Sequence, residues 1–185
     1  LRELLSNASD AIDKLRFEAI REPSLLEDAG TDWEIEIRVD RDAKTLHVID
    51  NGIGMSGTTI VDQLGTIARS GTREFLSALR EAEASDRPEL IGQFGVGFYS
   101  AFMVADRVTV LTRHAGEEQG VKWESEGKGS YTLEEIDRPE RGTEVVLNLR
   151  DDAHEFLEES VIRRIVKKYS DFLEHPIVME VDVEK

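Results

Sequence analysis

Between residues 105 and 150 the chain runs through four strand-like segments with no helical period among them. Val108, Val110 and Thr112 alternate with Arg107, Thr109 and Leu111, and Gly116 to Gly120 turns the chain into a hairpin partner at Val121 to Ser125. Residues 130 to 136 and 143 to 149 follow, with Gly142 between them. A parallel pair needs a crossover of roughly a dozen residues or more, usually a helix, whereas an antiparallel pair needs only a tight turn. This stretch therefore excludes a doubly wound parallel sheet. It predicts an α+β fold, a two-layer α/β sandwich whose mixed, mostly antiparallel sheet carries its helices on one face.

The remaining segments fit that plan. Trp33, Ile35, Ile37 and Val39 alternate with Glu34, Glu36 and Arg38, and Asp40-Arg41-Asp42 turns the chain into a second strand at Thr45 to Ile49. Residues 56 to 84 read as helical pieces interrupted at Gly57, at Gly65 and at Ser70-Gly71-Thr72. Phe156, Leu157, Ile162, Ile165, Val166, Tyr169, Phe172 and Leu173 recur at helical spacing over residues 154 to 174, Pro176 ends that helix, and Ile177 to Val183 reads as a final strand. The 185 residues suit one domain, spanning 1 to 185. A net charge of −16 opposes binding to nucleic acid through a general basic surface, and the absence of cysteine removes disulfides and thiolate chemistry. No apolar run is long enough to span a membrane, no secretory signal is visible, and a cytoplasmic location is expected.

Residues 1 to 20 form an amphipathic helix with one face too many. Leu1, Leu4, Leu5, Ala8, Ile12, Leu15 and Ala19 make the apolar stripe, and Arg2, Ser6, Ser9, Asp13 and Arg16 a solvent face. Glu3, Asn7, Asp10 and Lys14 line up in a separate narrow row, at i, i+4, i+7 and i+11. The row suits a helix that touches a core, solvent and a polar site at once. An i,i+4 ion pair between Asp10 and Lys14, with Glu3 solvated, accounts for it equally.

Two glycine-rich turns lie downstream. In Asp50-x-Gly52-x-Gly54 a carboxylate sits at the end of a buried strand, and glycines let the backbone approach whatever it contacts. An ionised carboxylate only accepts hydrogen bonds, so it suits an exocyclic amine such as that of adenine, with Met55 and Leu64 as apolar surface for a flat ring. An Asp-capped turn is the alternative. In Gly92-x-x-Gly95-x-Gly97 the turn opens a short apolar helix, an arrangement that offers free N–H groups to a phosphate. It lacks the Gly-Lys-Ser or Gly-Lys-Thr ending of a P-loop and sits in no βαβ unit. A tight loop before a buried helix is the alternative.

Taken in order, Glu3-x-x-x-Asn7 on a helix, DNGIGM at 50 to 55 and GQFGVGF at 92 to 98 match the GHKL class of ATPases. With LGTIARSGT at 64 to 72, IGQFGVGFYSAFMVAD at 91 to 106 and RGTEVVLNL at 141 to 149, the chain resembles the N-terminal ATPase domain of the heat-shock protein 90 chaperones, of the bacterial type, over nearly its whole length. The resemblance implies the Bergerat fold and an ATP-binding, slowly ATP-hydrolysing domain of a stress-response chaperone. Glu3 would be the general base that polarises the attacking water, and Asn7 a Mg²⁺ ligand. Asp50 would receive the adenine amine, with Gly54 and Thr143 assisting around the base and Met55, Leu64 and Phe98 lining the pocket. Gly95, Val96, Gly97 and Phe98 would offer backbone N–H groups to phosphate, Asp10 and Lys14 would border the sugar, and residues 65 to 94 would form a mobile lid carrying contacts from Arg69 and Ser70.

The chain departs from the family at position 69, where lysine is usual and Arg69 stands here. The resemblance further implies a strand and helix before Leu1, a middle domain whose arginine reaches the γ-phosphate and a C-terminal dimerisation domain. The chain is thus expected to be a fragment, monomeric and weak in turnover alone, of a homodimer that acts on client proteins. Other GHKL ATPases remain the alternative. Type II topoisomerases and mismatch-repair ATPases handle DNA, which −16 disfavours, and a histidine kinase needs a phosphoacceptor domain not visible here.

Overall fold

A computed structural model describes residues 1–27, 32–65, 97–169 and 173–180. Helix α1 spans Arg2–Arg21, and a 3₁₀ turn at Pro23–Leu26 follows it. Strands β1 (Ile35–Asp40) and β2 (Thr45–Asp50) form an antiparallel hairpin. A short helix α2 (Gly57–Ile60) runs into a π-helical turn, Val61–Gly65. After a 3₁₀ segment at Gly97–Met103 come β3 (Ala105–Arg113), β4 (Gly120–Ser125), β5 (Thr132–Ile136) and β6 (Gly142–Leu149). A 3₁₀ segment at Asp151–Leu157, helix α3 (Glu159–Tyr169) and β7 (Ile177–Glu180) complete the described chain.

These seven described strands form one sheet in the order β5-β4-β3-β6-β2-β1-β7. Among them only β1 and β7 run parallel; every other pair is antiparallel. The expected mixed, mostly antiparallel two-layer α+β sandwich is the fold observed. The register sorts the two faces. Ile37, Val48, Val145, Val110 and Trp123 are successive cross-strand partners on one face, and all five belong to the core or pack against it. Leu4, Leu5, Ala8 and Ile12 bring the apolar stripe of α1 onto that face. The opposite face is the more polar, with His47 and Glu144 joined across β2 and β6 at 2.7 Å.

Three expectations change. The helix expected over 154 to 174 is two pieces: Glu158 takes an extended conformation (φ −84°, ψ 126°) that ends the 3₁₀ turn before α3 starts. Gly57 opens α2 rather than breaking a helix, because Ser56 caps it by accepting from the Thr59 N–H at 3.2 Å. Two members of the solvent face of α1 are also not simply solvated. Ser9 is buried, and Asp13 bonds the buried His175 ring at 2.7 Å, tying the approach to β7 onto α1.

Candidate functional site

The end of β2 meets the middle of α1 without a side chain between them. A Cβ at Gly52 would lie 2.5 Å from the Ala11 carbonyl carbon and 2.6 Å from the Ile12 nitrogen. The next residue, Ile53, donates its N–H to the Ala11 oxygen at 3.0 Å, and its own carbonyl accepts from the Ala115 N–H at 2.8 Å. The turn thus bridges helix and sheet through backbone hydrogen bonds. Gly54 has φ +69°, and a Cβ there would overlap the Arg113 carbonyl. Sequence reasoning has both glycines opening the backbone to a ligand. The structure shows what else they do: Gly52 lets the turn approach α1, and Gly54 lets it approach the end of β3.

Asp50 ends β2 and is 7% exposed. Its Oδ1 accepts from the Gly52 N–H at 2.9 Å, so the Asp-capped turn is present. Burial pushes the Asp50 carboxyl up from 3.8 to about 7, against the opposing pull of the Gly52 and Thr143 backbone amides and the Arg138 charge. A plain capping Asp at a wet turn would feel no such push. Thr143 faces Asp50 across β2 and β6 and Thr112 across β6 and β3. The Thr112 and Thr143 hydroxyls lie 2.9 Å apart, and Thr112 Oγ1 also accepts from the Met55 N–H at 2.9 Å. Sequence reasoning missed Thr112, whose only signal is a hydroxyl among the inward, otherwise apolar positions of β3.

Arg141 was also missed as a support. Its Nε donates to the Asn51 carbonyl at 3.1 Å and its guanidinium stacks 5.4 Å over the Trp33 ring. Gly142 next to it has φ +105°, with the Asp50 carbonyl where a Cβ would stand. Arg141-Gly142-Thr143 is therefore the strand start that lets β6 lie directly against Asp50.

Glu3, Asn7, Asp10 and Lys14 share one side of α1, with Glu3 half-buried and the other three exposed. Asp10 and Lys14 form no ion pair with each other, which removes the simplest alternative for the row. Asn7 stands one helical turn before Ala11, where the Asp50–Met55 turn is seated, and Asp10 and Lys14 flank that position in sequence. Met55 is half-buried, whereas Leu64 lies in the core. Phe98 packs edge-on against Trp123, with ring centroids 5.8 Å apart. Gly97 opens the 3₁₀ segment that packs against α1. Arg69, Ser70, Gly95 and Val96, and all of the expected lid except Gly65, lie outside the described residues.

The glycine turn thus joins the buried Asp50 to the polar row of α1. Comparison with known proteins identifies the family. Residues 1–155 match the family model described as "Histidine kinase-, DNA gyrase B-, and HSP90-like ATPase". The chain belongs to this ATPase family. Within it, the chain is 58% identical over its whole length to the chaperone protein HtpG of Alcanivorax borkumensis, covering 30% of that protein. It is 52% identical to HtpG of Geobacter sulfurreducens over 98% of the chain and 28% of the relative, and 52% identical to HtpG of Mycobacterium avium over 98% and 30%. The chain thus spans about 30% of the length of these curated relatives. Among HSP90-like ATPases, the likeness to HtpG favours a chaperone ATPase domain over a topoisomerase, mismatch-repair or kinase domain.

Proposed function

We propose that this HSP90-like domain binds ATP and hydrolyses it slowly on behalf of a chaperone that assists the folding of client proteins. The carrying observation is the seating of the Asp50–Met55 turn on α1 at Ala11 and Ile12, which sets a buried acceptor beside the polar row. Asp50 accepts the exocyclic amine of adenine, Gly54 and Thr143 assist around the base, and Met55 supplies apolar surface with Leu64 and Phe98 behind it. Backbone N–H groups of Gly95, Val96, Gly97 and Phe98 meet the phosphates. Asp10 and Lys14 border the sugar, and Arg69 and Ser70 add contacts from the lid at 65 to 94. Glu3 takes a proton from the attacking water.

The amide oxygen of Asn7 is exposed and suits Mg²⁺, which keeps several waters and is held chiefly by substrate phosphates rather than by an all-protein cage. When bound, Mg²⁺ supplies charge neutralisation between the phosphates. The likeness to HtpG further supports a cytoplasmic homodimer whose client-handling parts lie outside this chain. None of the described helices is long and apolar enough to cross a membrane.

Calorimetric titration of the chain with ATP and with ADP, in Mg²⁺, tests the reading beside Asp50→Asn. The parent is expected to bind both nucleotides, and the variant to lose about 1.5–3 kcal/mol, the range for a hydrogen bond to a charged group. Failure of the parent to bind either nucleotide overturns the site, and rapid steady-state turnover by the chain alone overturns the slow-hydrolysis part.

A further inference from the structure

Thr112 is fully buried at the end of β3, and its hydroxyl has three neighbours. It lies 2.9 Å from the Met55 nitrogen, 3.0 Å from the Gly142 carbonyl oxygen and 2.9 Å from the Thr143 hydroxyl. The direction of each bond follows from what each partner can do. The Met55 N–H only donates and the Gly142 carbonyl only accepts. The single Thr112 proton therefore goes to Gly142, and Thr112 receives from Met55. Thr112 has no second proton for Thr143, so Thr143 must donate to Thr112.

The geometry points to Thr112 as a positioning residue that sets the ligand preference of the site. It holds the Thr143 proton inward, so that Thr143 presents only lone pairs on the side it shares with Asp50. Asp50 and Thr143 are cross-strand partners on the helix-covered face, at a spacing of roughly 5 Å between Cβ atoms. An atom seated between them meets an acceptor on each side. A primary amine on a flat ring brings two in-plane N–H groups and satisfies both; a ring carbonyl satisfies neither while Asp50 is ionised. The Met55 N–H, a donor that a carbonyl could use, is already taken by Thr112. This rests on the proposal that Asp50 and Thr143 receive the purine base, and it adds why the 6-amino form is chosen over the 6-oxo form.

The test compares ADP with IDP, which differ at that substituent and in the proton the 6-oxo form carries on N1, by calorimetry above pH 7, where Asp50 is mostly ionised, on the parent, Thr112→Val, Thr112→Ser and Thr143→Val. The parent should prefer ADP at least tenfold. Thr112→Val frees the Thr143 proton and the Met55 N–H, so the preference should narrow at least threefold, chiefly through tighter IDP binding. Thr112→Ser keeps the hydroxyl and should restore the parent ratio within twofold. A purely structural Thr112 would weaken both ligands alike and leave the ratio unmoved, which overturns the inference while the nucleotide site stands. Thr143→Val decides the point even if Thr112→Val does not fold. Loss of ADP affinity with IDP unchanged supports an outward acceptor, and loss of IDP affinity overturns it. A parent that binds neither nucleotide overturns this inference together with the site.

Discussion

The Asp50–Met55 turn and the polar row of α1 flank the same helix, and they are built in opposite ways. In the turn, Gly52 and Gly54 lie against other backbone, Asp50 is buried, and the Met55 N–H is spent on Thr112. In the row, Asn7, Asp10 and Lys14 are exposed, and none of them forms a side-chain hydrogen bond or ion pair among the described residues. One half is finished by folding; the other is left for a ligand to order. On the proposed function, a site divided in this way would recognise a base with preformed acceptors and let the phosphates and their ion organise the rest, at the cost of ordering only exposed side chains.

The strongest way to break the contrast is Gly54→Ala. A Cβ at a φ of +69° is strained in itself, and here it would also overlap the Arg113 carbonyl, which belongs to β3 and cannot move aside alone. The expected loss is at least about 3 kcal/mol, enough to unfold a domain of ordinary stability. A urea melt that places the variant within about 1 kcal/mol of the parent would show that the turn is not held as tightly as its contacts imply.

How much of this was legible beforehand follows from the kind of interaction involved. The strand run from 105 to 150 revealed the sheet class, because hairpin-length links admit few alternatives. The insertion of β6 between β3 and β2 was not legible, since partner choice among strands is a tertiary matter. DNGIGM marked a close backbone turn, but not that its glycines pack against Ala11 and Arg113, which no local pattern announces. Leu64 was read as pocket lining on its apolar character; the fold adds that it belongs to the core cluster against which Met55 and Phe98 pack, a placement likewise absent from any local pattern. Ser9 was placed on the solvent face and is buried, and Thr112 was overlooked because a buried hydroxyl is identified by its partner rather than by its spacing.

A change of smaller size and opposite sign is expected at Asp50. Its carboxyl titrates near about 7 when folded and near 3.8 otherwise, so between those values the native state holds a proton that the unfolded chain has released. Stability therefore falls as pH rises from about 4 to about 7 and levels off above that. Asp50→Asn removes this slope. The variant should match the parent near pH 4 and exceed it at pH 8 by up to a few kcal/mol, the ceiling being about 1.4 kcal/mol for each pH unit between the folded and unfolded titrations. Urea melts at the two pH values read this directly. Nucleotide binding to the parent should show the linked effect: an amine prefers the ionised carboxylate, so affinity should rise through pH 7 with release of a proton, seen as a dependence of the calorimetric heat on the buffer's ionisation enthalpy. A parent whose stability is flat over this range would mean that Asp50 is less isolated from water than its 7% exposure indicates.

The smallest effect on folding belongs to the row, and there the contrast is sharpest. Among the described residues, Lys14 is exposed with no partner, and Glu3 is half-buried and forms no side-chain hydrogen bond or ion pair. Lys14→Ala and Glu3→Gln should each leave stability within about 0.5 kcal/mol of the parent, the range for surface positions free of special contacts. Glu3→Gln keeps the shape of the side chain and loses its basicity, so turnover should fall about 100-fold or more while nucleotide affinity stays nearly unchanged. That pairing of results separates a residue kept for chemistry from one kept for the fold. If Glu3→Gln instead lowers the urea midpoint as much as a core substitution does, the row is part of the helix's packing. The division between a finished half and an open half would then have to be drawn elsewhere on α1.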